Sequence, residues 1–180
     1  MSARYLALGV VLLLLPLTAC AGTRPWEPAM TSAPSVRSAI GGLVFAYGVG
    51  ARNVLDTSRG TFTKDMIVGS PLTVPMELTP GEMARIADKL EEIGFFSYPT
   101  RFVIHMDPLA EDGVQLCTPF ASYRCAVRTS EGTKVVKWDG MIGTDDARAL
   151  RLFSLADLIE RIISARPEYK RLPEPRGMYM

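Results

Sequence analysis

The sequence predicts an α+β domain, with an antiparallel sheet of two short meanders and two helices packed on one face. The candidate elements run in the order strands, helix, strands, helix, which suits an antiparallel sheet covered by helices. Fifteen Gly and thirteen Pro among 180 residues indicate many turns. A hydrophobic fraction of 48% and a charged fraction of 22% are typical of one globular domain and exclude a wholly disordered chain.

The first meander is predicted over residues 43–67. Residues 43–47 contain Val44, Phe45 and Tyr47, residues 52–56 contain Val54 and Leu55, and two glycines lie between these segments. Residues 61–67 alternate along the chain between two faces. Two prolines in residues 68–76 restrict that segment to an edge strand or a crossing loop.

A helix is predicted to begin after this meander. Thr79 can cap it, Pro80 suits the first helical position, and Glu82 completes a capping box. Apolar residues then recur at helical spacing, and Gly94 fits the end of the helix. The apolar positions are Met83, Ile86, Leu90 and Ile93.

The second meander and the second helix follow. Strands are predicted at 114–117, 123–129 and 134–139. Thr144 is predicted to cap a long helix. One broad apolar arc of this helix is expected to cover the sheet. The arc consists of Leu152, Leu155, Ala156, Leu158, Ile159, Ile162 and Ile163.

Beyond this helix the chain is predicted to be an extended tail. Pro167, Pro173 and Pro175 exclude a helix that continues to the end. Three apolar or aromatic side chains are expected to pin the tail to the domain, namely Tyr169, Leu172 and Tyr179.

Two apolar side chains, Leu150 and Phe153, fall on the polar side of the second helix. They are expected either to meet the C-terminal tail or to form an exposed contact patch. The second alternative makes Leu150 and Phe153 a possible partner-binding surface.

Residues 1–19 predict a signal peptide. Arg4 is the only charged residue before an apolar run over residues 5–17, and this run is too short for a permanent membrane span. The run ends in Leu17-Thr18-Ala19-Cys20, which resembles the lipobox of bacterial lipoproteins. The resemblance implies cleavage before Cys20 and acylation of Cys20. Ala21 in place of Asp favours the outer membrane over the inner one, with the domain on the periplasmic side.

Residues 20–40 are predicted to be the lipidated cysteine and a flexible tether, and residues 41–180 a single domain. The tether contains three prolines and no apolar period. With 20 basic and 19 acidic residues, the chain has no charge excess to drive binding to nucleic acid. A neutral domain also gains no attraction to anionic lipid, so the acyl chains are expected to provide the membrane attachment.

The two cysteines of the domain, Cys117 and Cys125, predict a disulfide. They form an even pair in an exported protein, where thiols are oxidised. If they face each other across a hairpin, the bridge closes a short loop and has a structural role.

No catalytic residue, metal site or cofactor is predicted. His105 is the only histidine, which is a poor supply of zinc ligands. Copper(I) could use the soft thioethers of Met106, Met178 and Met180. The sequence also lacks a Gly-x-Ser-x-Gly nucleophile motif and a phosphate-binding glycine loop.

The leading functional hypothesis is a lipid-anchored periplasmic binding or structural module for another envelope component. Beyond the lipobox, the domain resembles small lipoproteins of unassigned function. Two alternatives stay open: a periplasmic hydrolase with an unrecognised active site, and a metal-handling lipoprotein.

Overall fold

The computed structural model describes residues 40–104, 119–140 and 144–179. The described chain forms six strands, three α-helices and a 3₁₀ turn at Phe95–Ser97. In chain order the elements are β1 (Gly42–Tyr47), β2 (Asn53–Asp56), β3 (Thr61–Lys64), β4 (Leu72–Pro75), α1 (Pro80–Glu92), β5 (Ser122–Thr129), β6 (Gly132–Asp139), α2 (Ala147–Ala165) and α3 (Pro167–Lys170).

All six strands belong to one antiparallel sheet of order β4-β3-β2-β1-β5-β6. The predicted α+β class is confirmed. The first meander has four strands, because β4 pairs with β3 as an edge strand. β5 and β6 form a hairpin, and β1 joins the two groups by pairing with both β2 and β5. The strand predicted at 114–117 lies outside the described residues.

The core lies between the sheet and the helices. Phe45, at the centre of β1, has Leu55 of β2 on one side and Cys125 of β5 on the other. All three are fully buried, because alternation along each strand turns them toward the helices. The helices bury the opposite wall of this core, which includes Ile86, Leu90, Leu152, Leu155 and Ile159.

β3 ends at Lys64, earlier than the alternation of residues 61–67 predicts. The Asp65 carboxylate accepts a hydrogen bond from the Ile67 N–H at 3.2 Å, so this donor is satisfied locally instead of by a neighbouring strand. Ile67 itself has a φ of 61°, which a β-branched residue rarely adopts and which turns the chain out of the sheet.

The capping box predicted for α1 is present. The Thr79 hydroxyl accepts a hydrogen bond from the Glu82 N–H at 3.2 Å. In return, the Glu82 carboxylate accepts one from the Thr79 N–H at 2.7 Å. Two otherwise unpaired N–H groups are thereby satisfied.

The cap of α2 is Asp146 and not Thr144, so that prediction is wrong. The Asp146 carboxylate accepts hydrogen bonds from the N–H groups of Arg148 at 2.8 Å and Ala149 at 3.2 Å. The Thr144 hydroxyl instead accepts from the Asp146 N–H at 3.1 Å. Thr144 thus forms a turn just before the helix, and its hydroxyl holds the backbone of Asp146, which caps the helix.

The tail returns to the sheet after a short helix. Pro167 starts α3 and does not prevent a helix, because a proline at the first helical position loses no hydrogen bond. Farther along, Lys64 Nζ donates to the Pro173 carbonyl at 2.9 Å, and the Tyr179 hydroxyl donates to the Asp65 carboxylate. Tyr169 and Leu172 pack against the core, so the three residues predicted to pin the tail do contact the domain.

Within the described ranges, no helix combines the length and the apolar character that a membrane crossing requires.

Candidate functional site

The two faces of the sheet differ. The helices pack on the face that carries Phe45 and Leu55. Among the described residues no helix packs on the opposite side, which we call the open face. The alternation along each strand and the pairing register place the following residues on the open face: Gly42, Val44, Ala46, Val54, Asp56, Thr61, Thr63, Ser122, Arg124, Ala126, Arg128, Thr133, Val135, Lys137 and Asp139.

Three cationic side chains stand side by side on the open face. Arg124 of β5 is paired directly with Lys137 of β6. Arg101 forms a parallel bridge with Lys137 on the other side, held by a Phe102 N–H to Lys137 carbonyl hydrogen bond of 2.8 Å. Paired residues on neighbouring strands point to the same side of a sheet. We call Arg101, Lys137 and Arg124 the cationic row.

The charges of the cationic row are not neutralised by the described residues. The ion pairs of the described chain involve other side chains. Asp139 lies two residues beyond Lys137 on the same face, and its carboxylate accepts a hydrogen bond from the Ser122 hydroxyl at 2.9 Å. Like charges directly opposite each other destabilise a sheet. The arrangement therefore does not serve stability, and it is suited to an anionic ligand.

The cationic row borders a groove of about 460 Å³, which lies where β5 begins and β6 ends. Arg101, Arg124 and Lys137 all line it, together with Thr100, Ser122 and Asp139. A volume in this range accommodates a small ligand or one group of a larger one. The groove can therefore pair a negatively charged group with its three cations.

The covered face has a second unusual group around Glu160 of α2. Burial, followed by the negative charge of Asp157, raises the pKa of Glu160 to about 7. Burial also raises the pKa of Tyr47, Tyr123 and Tyr169, and the charge of Glu160 adds to the rise in each. We call these four residues the Glu160 cluster. A carboxyl group that titrates near neutral pH can accept or donate a proton.

The sequence did not single out Glu160, because a glutamate opposite an apolar helical arc is typical of a solvated face. One sequence signal was available. Glu160 follows Phe153 by seven residues, which places both on one stripe of α2. The aromatic side chain of Phe153 therefore indicates that this side of α2 is partly buried, and Glu160 lies on the same side.

The two residues of the predicted partner surface, Leu150 and Phe153, differ in their exposure to solvent. Phe153 is half-buried, and its ring meets Tyr123 edge-on with centroids 6.1 Å apart. Leu150 is 50% exposed. The ring on which Phe153 packs thus belongs to β5. A partner-binding role for Leu150 and Phe153 stays a prediction.

Cys125 is fully buried and has a free thiol in the described chain. The positions paired with it in the sheet are Phe45 of β1 and Val136 of β6. Cys117 and Cys20 lie outside the described residues, and the disulfide and the lipidation stay predictions. Burial raises the pKa of the Cys125 thiol, which makes it a poor nucleophile.

The residues considered for metal binding are mostly outside the described chain. His105, Met106 and Met180 are among those, and Met178 is 86% exposed. Within the described chain, no group of three or more His, Cys, Asp or Glu side chains is placed to hold a metal ion.

Comparisons of the chain with protein-family models, curated proteins and solved structures found no match.

Proposed function

We propose that this protein is a lipid-anchored protein of the bacterial cell envelope, attached through Cys20 to the outer membrane with its domain in the periplasm. The quartet Leu17-Thr18-Ala19-Cys20 after an apolar run supports the anchor. Ile40, the first described residue, packs against the core, and the Gly41 N–H donates to the Arg128 carbonyl at 2.8 Å. The proposed tether therefore ends before Ile40.

The domain functions as a binding module for a negatively charged envelope component. The cationic row is the observation that supports this role. Three adjacent positive charges that form no ion pair with another described residue oppose one another until an anion lies over them. The groove beside the row supplies a concave surface next to these charges.

Acyl labelling tests the anchor. Cells that express the wild-type chain are grown with a labelled fatty acid, in parallel with Cys20→Ser. We expect label on the wild type and none on the variant, because the Cys20 sulfur is the proposed acceptor. A wild-type chain that carries no label contradicts the anchor.

Crosslinking in intact cells tests the binding role. Components captured by the wild type are identified by mass spectrometry and compared with those captured by Arg124→Gln/Lys137→Gln, by Arg85→Gln/Arg151→Gln and by Phe153→Asp. The second pair removes the same charge from exposed helix positions. We expect a negatively charged component to be lost only in the first double variant. Loss in Phe153→Asp alone would instead place the contact on α2.

The Glu160 cluster favours one second candidate, a periplasmic hydrolase. A half-buried carboxyl group with a pKa of about 7 beside three phenols has the proton affinity that a general acid or base requires. Chromogenic esters and phosphoesters test it. Hydrolysis that is lost in Glu160→Gln and changes with pH near 7 would support this candidate, and equal rates for both proteins would remove it.

A further inference from the structure

We propose that the open face docks the domain onto the anionic headgroup layer of a membrane, with the cationic row in contact with lipid phosphates. This inference rests on the proposed binding function and names its partner as the lipid surface itself. Two observations support it: the excess of cations on the open face, and apolar side chains exposed beside the row.

Among the described residues, the open face of the sheet carries more cations than carboxylates. Its four cations are the cationic row and Arg128. Its two carboxylates already accept hydrogen bonds: Asp56 from the Ser58 N–H at 3.0 Å and Asp139 from the Ser122 hydroxyl. This local excess of positive charge coexists with the balanced composition of the whole chain. The expectation that a neutral domain gains no attraction to anionic lipid therefore does not apply to this face, because attraction depends on the nearest charges.

The geometry of the row suits a surface. Its members lie on β5, on β6 and on the segment at Arg101 that bridges to β6. Neighbouring chains in a sheet are about 4.8 Å apart, so the three charges are spread along a line and do not converge on one point. Many phosphates in one plane can satisfy such a line at once, whereas a single phosphate cannot contact all three side chains equally well.

Two exposed apolar side chains flank the row. Val103 is 59% exposed and follows Arg101 by two residues, with the buried Phe102 between them. Phe120 is 43% exposed and lies two residues before the start of β5. Apolar side chains among cations are the usual composition of surfaces that enter the headgroup region.

The predicted tether makes a weak surface contact effective. A flexible chain of about 20 residues has an r.m.s. span of about 25 Å. It keeps the domain close to the membrane, so the second contact forms at a high effective concentration. A few charges are then sufficient to orient the domain.

Vesicle binding of the full chain carrying Cys20→Ser tests the inference. Partition is measured on neutral phosphatidylcholine vesicles and on vesicles with about 30 mol% phosphatidylglycerol, and the ratio of the two is the readout. The neutral vesicles report any contribution of the N-terminal segment. We expect Arg101→Gln/Arg124→Gln/Lys137→Gln to lower this ratio by about a hundredfold, since each charge near an anionic surface contributes about fivefold.

The matched control removes three exposed cations from the helices, as Arg85→Gln/Arg151→Gln/Lys170→Gln, and should lower the ratio far less. Arg101→Lys/Arg124→Lys should keep it, because a lipid surface responds to charge and does not require a guanidinium fork. Thermal unfolding checks that each variant is folded.

Three results would overturn the inference: no preference of the parent chain for anionic vesicles, equal losses in the two triple variants, or a preference abolished by about 1 mM inorganic phosphate, which would indicate a site for a single phosphate group. A partner captured in cells through the row, without any vesicle preference, would retain the proposed function and reject the lipid surface. Failure of acyl labelling leaves the vesicle readout unaffected.

Discussion

The pKa of a side chain in this domain depends on how far the neighbouring elements exclude water from it. Glu160 and Cys125 illustrate this at two depths. Glu160 lies half-buried at the flank of α2 and still titrates, whereas Cys125 lies in the centre of the core, where its thiolate is disfavoured.

Glu160 is expected to make stability depend on pH. Its pKa is about 7 in the folded state against an ordinary value of 4.5. The folded state therefore holds more protons than the unfolded state between these values, and stability falls as pH rises from about 4.5 to 7. Glu160→Gln should flatten this fall. Urea unfolding across this pH range measures it, with the exposed Glu91→Gln as control. Identical pH profiles for Glu160→Gln and the wild type would contradict the expectation.

The thiol of Cys125 is expected to resist alkylation in the folded protein and to react only after unfolding, because it is fully buried. Mass spectrometry after maleimide treatment, with and without denaturant, measures this. The same spectra test the predicted disulfide. A Cys117–Cys125 bridge would leave both residues unlabelled even in denaturant, at a mass lower by two hydrogen atoms, until a reductant is added.

At the scale of elements, hydrogen bonds from side chains decide where several segments begin and end. Asp146 starts α2, the Asp65 side chain bonds the chain just after β3, and Lys64 holds the tail. Each of these contacts depends on a polar side chain close to a chain reversal, where backbone groups lack ladder or helix partners.

Asp146→Ala is expected to destabilise the protein by about 1 kcal/mol, because two N–H groups at the start of α2 lose their acceptor. Asp145→Ala removes the same charge from the preceding exposed position and should cost much less. Chemical denaturation gives both values. If Thr144→Ala proved the most damaging of the three changes, the assignment of the cap to Asp146 would be wrong.

Lys64→Met is expected to release the tail. Lys64 is 3% exposed, donates to the Pro173 carbonyl and lies 4.8 Å from the centre of the Tyr169 ring. Methionine fills similar space but lacks the donor and the charge. Limited trypsin digestion should cleave after Arg171 and Arg176 several-fold faster in the variant. Lys89→Met, on α1, is the control. Equal cleavage rates would show that other contacts hold the tail.

At the scale of the whole molecule, one core connects both groups of strands. β1 pairs with β2 on one side and β5 on the other, and α1 and α2 bury side chains in the same cluster. A sheet built in this way has no internal boundary at which half of it could separate without exposing the centre of the core.

The described domain is therefore expected to unfold in one transition. Trp138 fluorescence, measured in a Trp26→Phe background, should change at the same denaturant concentration as the helical circular dichroism. Phe45→Ala should lower the stability reported by both probes by about 3–5 kcal/mol, since this ring lies at the junction. Separate midpoints for the two probes would show that β5 and β6 fold independently.

Local signals were sufficient to predict most elements. Strand-forming segments separated by a glycine turn located β1 and β2, and alternation located β3. The spacing of Thr79 and Glu82 identified the start of α1. These patterns involve residues close together in the chain. The early end of β3 and the cap of α2 were not predicted. Each depends on which nearby N–H group a polar side chain reaches, Asp65 after β3 and Asp146 before α2.

The sequence by itself determined the α+β class, the apolar side of each helix and the quartet Leu17-Thr18-Ala19-Cys20, which resembles a lipobox. Short-range periodicity and a contiguous motif can be recognised without knowing which strands pair. Only the tertiary structure decided that Arg101, Lys137 and Arg124 lie side by side and that Glu160 loses solvent among tyrosines. These neighbours are brought together by the strand order and by the packing of the helices on the sheet. Both depend on contacts between residues distant in the chain, because they form when the whole core is buried.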